Sequence, residues 1–180
     1  GLANLSNKES LQADHVMRLG SITKQFTAVA ILQLVEDGKI ALNDPVTKFF
    51  PDYPETGKTV TIEHLLTHTS GIPSYTGKPG FVEKSVKDIS VSEMVDSFKN
   101  DALEFEPGTS YKYNNSGYFL LGAIIEKVSG ETYANYVAKR IFTPLGMNNT
   151  AHEGHERSQQ ARALGYSQRG EGFDPSMKIS

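Results

Sequence analysis

Cysteine is absent from this 180-residue chain, which excludes disulfides, thiol catalysis and thiolate zinc sites while identifying no compartment. An excess of either charge is missing too: 18 basic residues stand against 21 acidic ones, a formal net charge of −3. Nothing in that balance recommends a nucleic-acid partner. No apolar run reaches the roughly 18 residues of a membrane span, the longest being interrupted at Gln33 or at Gly122. Repeats, low-complexity tracts and linkers of distinct composition are lacking as well. Residues 1–180 therefore read as one domain, large enough to bury a sizeable core.

What the chain does have is Ser21-Ile-Thr-Lys24 at the head of an apolar run, SITKQFTAVAILQLVEDG. Phe26, Val29, Ile31, Leu32, Leu34 and Val35 put apolar groups around most of a helical circumference, the pattern of a buried helix. Gly38 is its natural stop, so the helix is predicted over about 21–37. Residues three apart lie on one face, which sets the Lys24 amine beside the Ser21 hydroxyl as base beside nucleophile. Desolvation and the positive end of the helix both disfavour an ammonium there. On this segment alone another reading stays open, in which Ser21 caps the helix and Lys24 points into water.

A second signal is EPGTSYKYNNSGYFLLGAIIEKVSG over 106–130: a Pro-Gly turn, a polar approach, Tyr113-Asn114-Asn115, then a helix predicted over about 116–128. A phenol at the mouth of that helix can share or relay the serine proton. The Asn115 amide can hydrogen-bond both the lysine and a substrate carbonyl.

SITK followed some ninety positions later by YNN resembles the serine β-lactamase and penicillin-binding superfamily. Tyr-x-Asn resembles its branch of class C β-lactamases, D-alanyl-D-alanine carboxypeptidases and β-lactamase-like esterases. The segments at 17–28, 65–75, 107–130 and 141–147 match that branch in order, so the likeness covers essentially the whole chain. It implies an α+β, β-lactamase/transpeptidase-like fold, represented mainly by its helical portion. It further implies Ser21 as acylated nucleophile, Lys24 as proton acceptor, Tyr113 as acid and base for the leaving group or deacylating water, and Asn115 as binder of the substrate amide. The substrate expected is a β-lactam, a D-amino-acid peptide or an ester, with no cofactor and no metal. A cell-envelope, periplasmic or secreted location follows from the same resemblance. The alternative is a non-catalytic relative that keeps the fold for binding or assembly.

One element of the family pattern is missing. Its third motif, Lys-Thr-Gly or His-x-Gly on a late strand, has no Lys-Thr/Ser-Gly counterpart. The single His-x-Gly, His152-Glu153-Gly154, sits in a charged stretch without strand alternation and reads as a surface loop. GLANL at 1–5 resembles the tail of a strand, and the first strand and C-terminal sheet of the family are expected to lie outside this sequence. The missing C-terminal portion is then a partner of the site.

The remaining signals are local. Asp44-Pro45 is expected to open a short helix, 61–68 to form another, and Ser90-Val91-Ser92-Glu93 to be a capping box for a third. The polar, glycine-bounded loop 71–80 is long enough to rim a cleft, and Tyr75 within it is a candidate substrate contact, although packing is the commoner role of such a tyrosine. Tyr133-Ala134-Asn135 is a second Tyr-x-Asn, but Tyr133, Val137 and Ile141 recur every four residues as a packing face. Four histidines, His64, His68, His152 and His155, could on paper hold zinc. Their spacing does not match a His-Glu-x-x-His motif. His68 is expected to bond backbone near Gly71 instead.

Overall fold

The computed structural model describes residues 1–81, 89–153 and 162–176. A 3-10 turn, Gly20–Ile22, runs straight into helix α1, Thr23–Glu36. Gly38, at φ 68°, ends it: the Gly38 N–H reaches Val35 O at 2.9 Å and the Lys39 N–H reaches Leu34 O at 3.0 Å. That paired closure is the Schellman arrangement, which needs the left-handed backbone glycine adopts freely.

Short helices follow: α2, Val46–Phe49; α3, Ile62–Leu66; α4, Val91–Asp96. The capping box at Ser90 and Glu93 forms, and a second joins Thr61 to His64. The proposed start at Asp44 needs correction. Pro45 is the extended cap residue and α2 begins at Val46, while the Asp44 carboxylate accepts from Ala41 N and Lys48 Nζ instead. The longest helix, α5, Asn115–Ser129, is capped by the Asn114 side chain, which accepts the Gly117 N–H at 2.6 Å, and it ends at Gly130, φ 71°. Helix α6, Tyr133–Val137, continues into a π-helical turn, Ala138–Phe142.

The core forms where α1, α3, α5 and α6 meet. Ile31, Leu34, Ile62, Leu65, Leu120, Leu121, Ile124 and Ile125 are each at most 1% exposed, and full burial of such side chains stabilises by about 1.5–3 kcal/mol apiece. Gly117 lets α5 come this close to α3: a Cβ there would stand 3.4 Å from a Leu65 methyl. Helix α1 is not buried all round, as its composition suggested. Thr27, Ala30, Ile31 and Leu34 face the core, whereas Val29 and Leu32, and Ile22 in the turn before the helix, are 43%, 49% and 54% exposed.

Strand structure among the described residues consists of two antiparallel pairs, β1 (Leu2–Asn4) with β2 (Glu9–Ser10), and β3 (Tyr166–Arg169) with β4 (Gly172–Pro175). GLANL is thus a strand as expected, while the other three strands were not foreseen. The two ends of the chain meet: Leu164 N donates to Ala3 O at 2.8 Å, and Leu5 N donates to Tyr166 Oη at 2.9 Å. No helix among the described residues is long and apolar enough to cross a membrane.

Candidate active site

Ser21 lies in the middle of the 3-10 turn and Lys24 in the first turn of α1, so both face the cleft that opens over the helix N-terminus. The cleft has a volume of about 820 Å³. Its floor is one stripe of α5, including Asn115, Phe119, Gly122 and Glu126, facing Thr23, Lys24 and Thr27 of α1. Sequence spacing of three, four and seven on each helix produces these facing stripes.

Tyr113 and Asn115 come to Ser21 and Lys24 from the far side, with a crosswise pattern of bonds. Tyr113 Oη donates to Ser21 Oγ at 2.6 Å, and Lys24 Nζ donates to Asn115 Oδ1 at 2.8 Å. Lys24, expected as the direct partner of Ser21, instead holds Asn115 and stands 4.7 Å from the centre of the Tyr113 ring. Burial acts to raise the Tyr113 phenol, but hydrogen bonding with Lys24 and Ser21 and the Lys24 charge outweigh it, leaving the phenol more acidic than an ordinary tyrosine.

The supporting groups come from the loop 72–76, which is stitched to the start of α5. Asn115 Nδ2 donates to Thr76 Oγ1 at 3.0 Å, the Asn115 backbone N–H donates to Ser74 Oγ at 3.3 Å, and Ser74 and Thr76 share a bond of 3.0 Å. Ser116 Oγ donates to Pro73 O at 2.8 Å and accepts the Tyr75 N–H at 2.9 Å, while Asn114 Nδ2 donates to Ile72 O. The Asn115 amide is therefore fixed in orientation, its oxygen toward Lys24 and its nitrogen toward Thr76. Ser74 and Thr76 carry no local motif that marks them in the sequence; only their place in a polar loop hinted at a role.

Tyr75 lines the cleft, yet it is half-buried rather than exposed, with ring contacts to Phe81, Phe98 and Phe119 at 5.7 to 6.2 Å. The residue packs the loop as well as rimming the opening. His68 does not bond backbone near Gly71. Its Nδ1 accepts the Asn114 N–H at 3.1 Å, and its ring lies between those of Tyr113 and Tyr118, at 4.7 and 4.9 Å. His64 is taken up with the Thr61 amide, and His155 lies outside the described residues. Among the described residues no cluster of three or more histidines and carboxylates could hold a metal.

The second Tyr-x-Asn sits elsewhere. Tyr133 Oη is bonded to Thr27 Oγ1 at 2.7 Å, deep in the cleft wall, and Val137 and Ile141 on its helical face are buried. His152 packs edge-on against Tyr133, and Glu153 accepts from Arg18 and Arg162 at 2.7 to 2.9 Å. The two described residues of the His-x-Gly are thus exposed, His152 in the cleft lining beside Tyr133 and Glu153 in ion pairs with Arg18 and Arg162.

A family model described as Beta-lactamase matches residues 1–179. The chain belongs to that family. It is 41% identical over 153 residues to penicillin-binding protein 4* of Bacillus subtilis, covering 83% of this chain and 33% of that protein. The structure of an octameric penicillin-binding protein homologue from Pyrococcus abyssi superposes with a TM-score of 0.83 at 37% identity, over 97% of this chain and 42% of the other. D-amino acid amidase from Ochrobactrum anthropi SV3 gives 0.80 at 34% identity, over 96% and 49%. The chain thus has a β-lactamase/transpeptidase-like fold and spans about a third of the length of the curated relatives it matches.

Proposed function

We propose that the protein is a serine hydrolase that forms an acyl-enzyme on Ser21 with a β-lactam, a D-amino-acid peptide or amide, or an ester. The observation that carries this reading is the 2.6 Å contact between Tyr113 Oη and Ser21 Oγ, made where Lys24 acidifies the phenol. A binding module has no need of an activated hydroxyl. Penicillin-binding and amidase relatives support the same class of substrate.

In the reacting form Ser21 Oγ–H donates to the ionised Tyr113 oxygen, reversing the resting bond. The Ser21 oxygen then attacks the substrate carbonyl carbon, and the carbonyl π pair moves onto oxygen. The Ser21 amide at the start of the helical run Gly20–Glu36 favours that oxyanion. On collapse the leaving group departs with the proton held by Tyr113. Water, deprotonated by the same phenolate, then cleaves the acyl ester and returns the Ser21 hydroxyl. Lys24 stabilises the phenolate and fixes Asn115, whose amide binds the acyl-side amide of the substrate.

Covalent labelling of the intact protein with a fluorophosphonate or a labelled penicillin tests the assignment. Ser21→Ala is expected to abolish labelling, and Lys24→Ala, which removes the charge that makes the Tyr113 phenol a proton acceptor, to slow it by about 10² to 10⁴, the range for disabling positioned proton transfer. Undiminished labelling of Ser21→Ala rejects Ser21 as the nucleophile.

A further inference from the structure

His68 occupies an unusual place for a residue with no contact to Ser21. Its backbone is left-handed, at φ 60°, a conformation rare outside glycine and tolerated by histidine and asparagine better than by most side chains. From there it grips the segment carrying Tyr113 at two points: His68 O accepts the Lys112 N–H at 2.9 Å, and His68 Nδ1 accepts the Asn114 N–H at 3.1 Å. Tyr113 is the residue between them. The imidazole also packs against the Tyr113 ring, tilted 39° at 4.7 Å, with Tyr118 tilted beside it at 4.9 Å and Tyr111 edge-on at 5.9 Å.

We propose that His68 is a positioning residue for Tyr113, holding its phenol on Ser21 through the Asn114 amide and releasing it when the imidazole is protonated. The inference rests on the acyl-enzyme reading of Ser21. An Nδ1 that accepts an N–H carries no proton, so the ring is the neutral tautomer protonated at Nε2. A proton added at Nδ1 would confront the Asn114 N–H with a second donor. Of the charged groups near the ring, Lys24 of α1 opposes that proton; the phenols of Tyr111, Tyr113 and Tyr118 surround the ring, and Lys112 turns its ammonium to Glu104 at 2.6 Å. Burial, then the Lys24 charge, hold His68 below the ordinary histidine value of 6.5. The grip is therefore complete at neutral pH and is lost as pH falls through that lowered value.

The test measures labelling rates of the intact protein from about pH 4 to 8 for the parent, His68→Asn and His68→Phe. Asparagine tolerates the left-handed backbone and offers an acceptor oxygen near the Nδ1 position but does not titrate; phenylalanine keeps the ring packing and loses the acceptor. His68→Phe is expected to label about 10-fold to 10²-fold more slowly at neutral pH, the scale of a displaced reacting group. His68→Asn is expected to label near the parent rate at neutral pH with its acid limb moved to lower pH. A parent-like rate in folded His68→Phe, or a parent-like acid limb in His68→Asn, overturns the proposal. Nitrogen-15 spectra of the Asn114 amide and the imidazole read the same coupling without activity. An Asn114 signal that titrates with His68 supports it, and one indifferent to His68 overturns it, even should the parent fail to label and the acyl-enzyme reading fall.

Discussion

Tyr113→Phe and Tyr133→Phe each delete one oxygen, yet the structure assigns the two oxygens opposite consequences. The Tyr113 oxygen contacts Ser21 at 2.6 Å on a side chain that is 44% exposed, so its removal costs the fold little. It removes the group proposed to carry the serine proton, and acylation should slow by about 10² to 10⁴, or about 2.7 to 5.4 kcal/mol of barrier. Tyr133 is half-buried and spends its oxygen on Thr27 at 2.7 Å. Losing one such bond costs about 1 kcal/mol net, a fall in Tm of about 2–4 °C for a chain of this size, with acylation near normal. Stopped-flow acylation with a chromogenic substrate and a thermal melt on each variant separate the effects. If Tyr133→Phe were the slow variant and Tyr113→Phe the merely less stable one, the choice of Tyr-x-Asn and the proton path through Tyr113 would both fall.

Two further outcomes bear on the frame around the site. Gly71→Ala should destabilise by at least about 2 kcal/mol, lowering Tm by about 4–8 °C; Gly71 has φ 74° and an added Cβ would stand 2.1 Å from Phe105 O, so an unchanged melt contradicts the tight turn. The chain should self-associate, because Val29 and Leu32 of α1, with Ile22 in the turn before it, leave an apolar strip in water. Size-exclusion chromatography checks this, and a chain that stays monomeric at high concentration would contradict it.

The helices were legible because their signals are local. Periodicity over 21–37, the glycine at 38, and the serine and glutamate of 90–93 each act within a turn or two of the residues they organise. The placement of Ser21 and Lys24 at the head of α1 was legible for the same reason, as was that of Asn115 at the head of α5. The hairpin β3–β4 was missed although a glycine opens its two-residue turn at Gly170, φ 61°, because its strands carry no apolar alternation. Its contact with the N-terminal segment, through Tyr166 Oη and Leu5 N, spans 161 residues, and no periodicity records such a distance. The one-sided burial of α1 was illegible in another way: composition reports how apolar a helix is, not how many partners cover it.

The crosswise bonds follow from geometry that no single motif contains. Spacing sets Ser21 and Lys24 on one face of one helix, and a lone pair of that kind would bond to itself. Here a third and a fourth group arrive on a separate helix mouth. The 72–76 loop fixes the Asn115 amide with its oxygen outward, so the strongest acceptor near Lys24 Nζ is Asn115 Oδ1. Ser21 accepts from the phenol, and the phenol feels the Lys24 charge through its ring and oxygen. Asn115→Asp would add a carboxylate beside Lys24 and strengthen its hold there. Asn115→Ala would free the amine to reach Ser21, and labelling of that variant, if retained, should then depend on Lys24 more steeply than on Tyr113. Equal dependence on Tyr113 in the presence and absence of the Asn115 amide would show that the amide does not set the proton path.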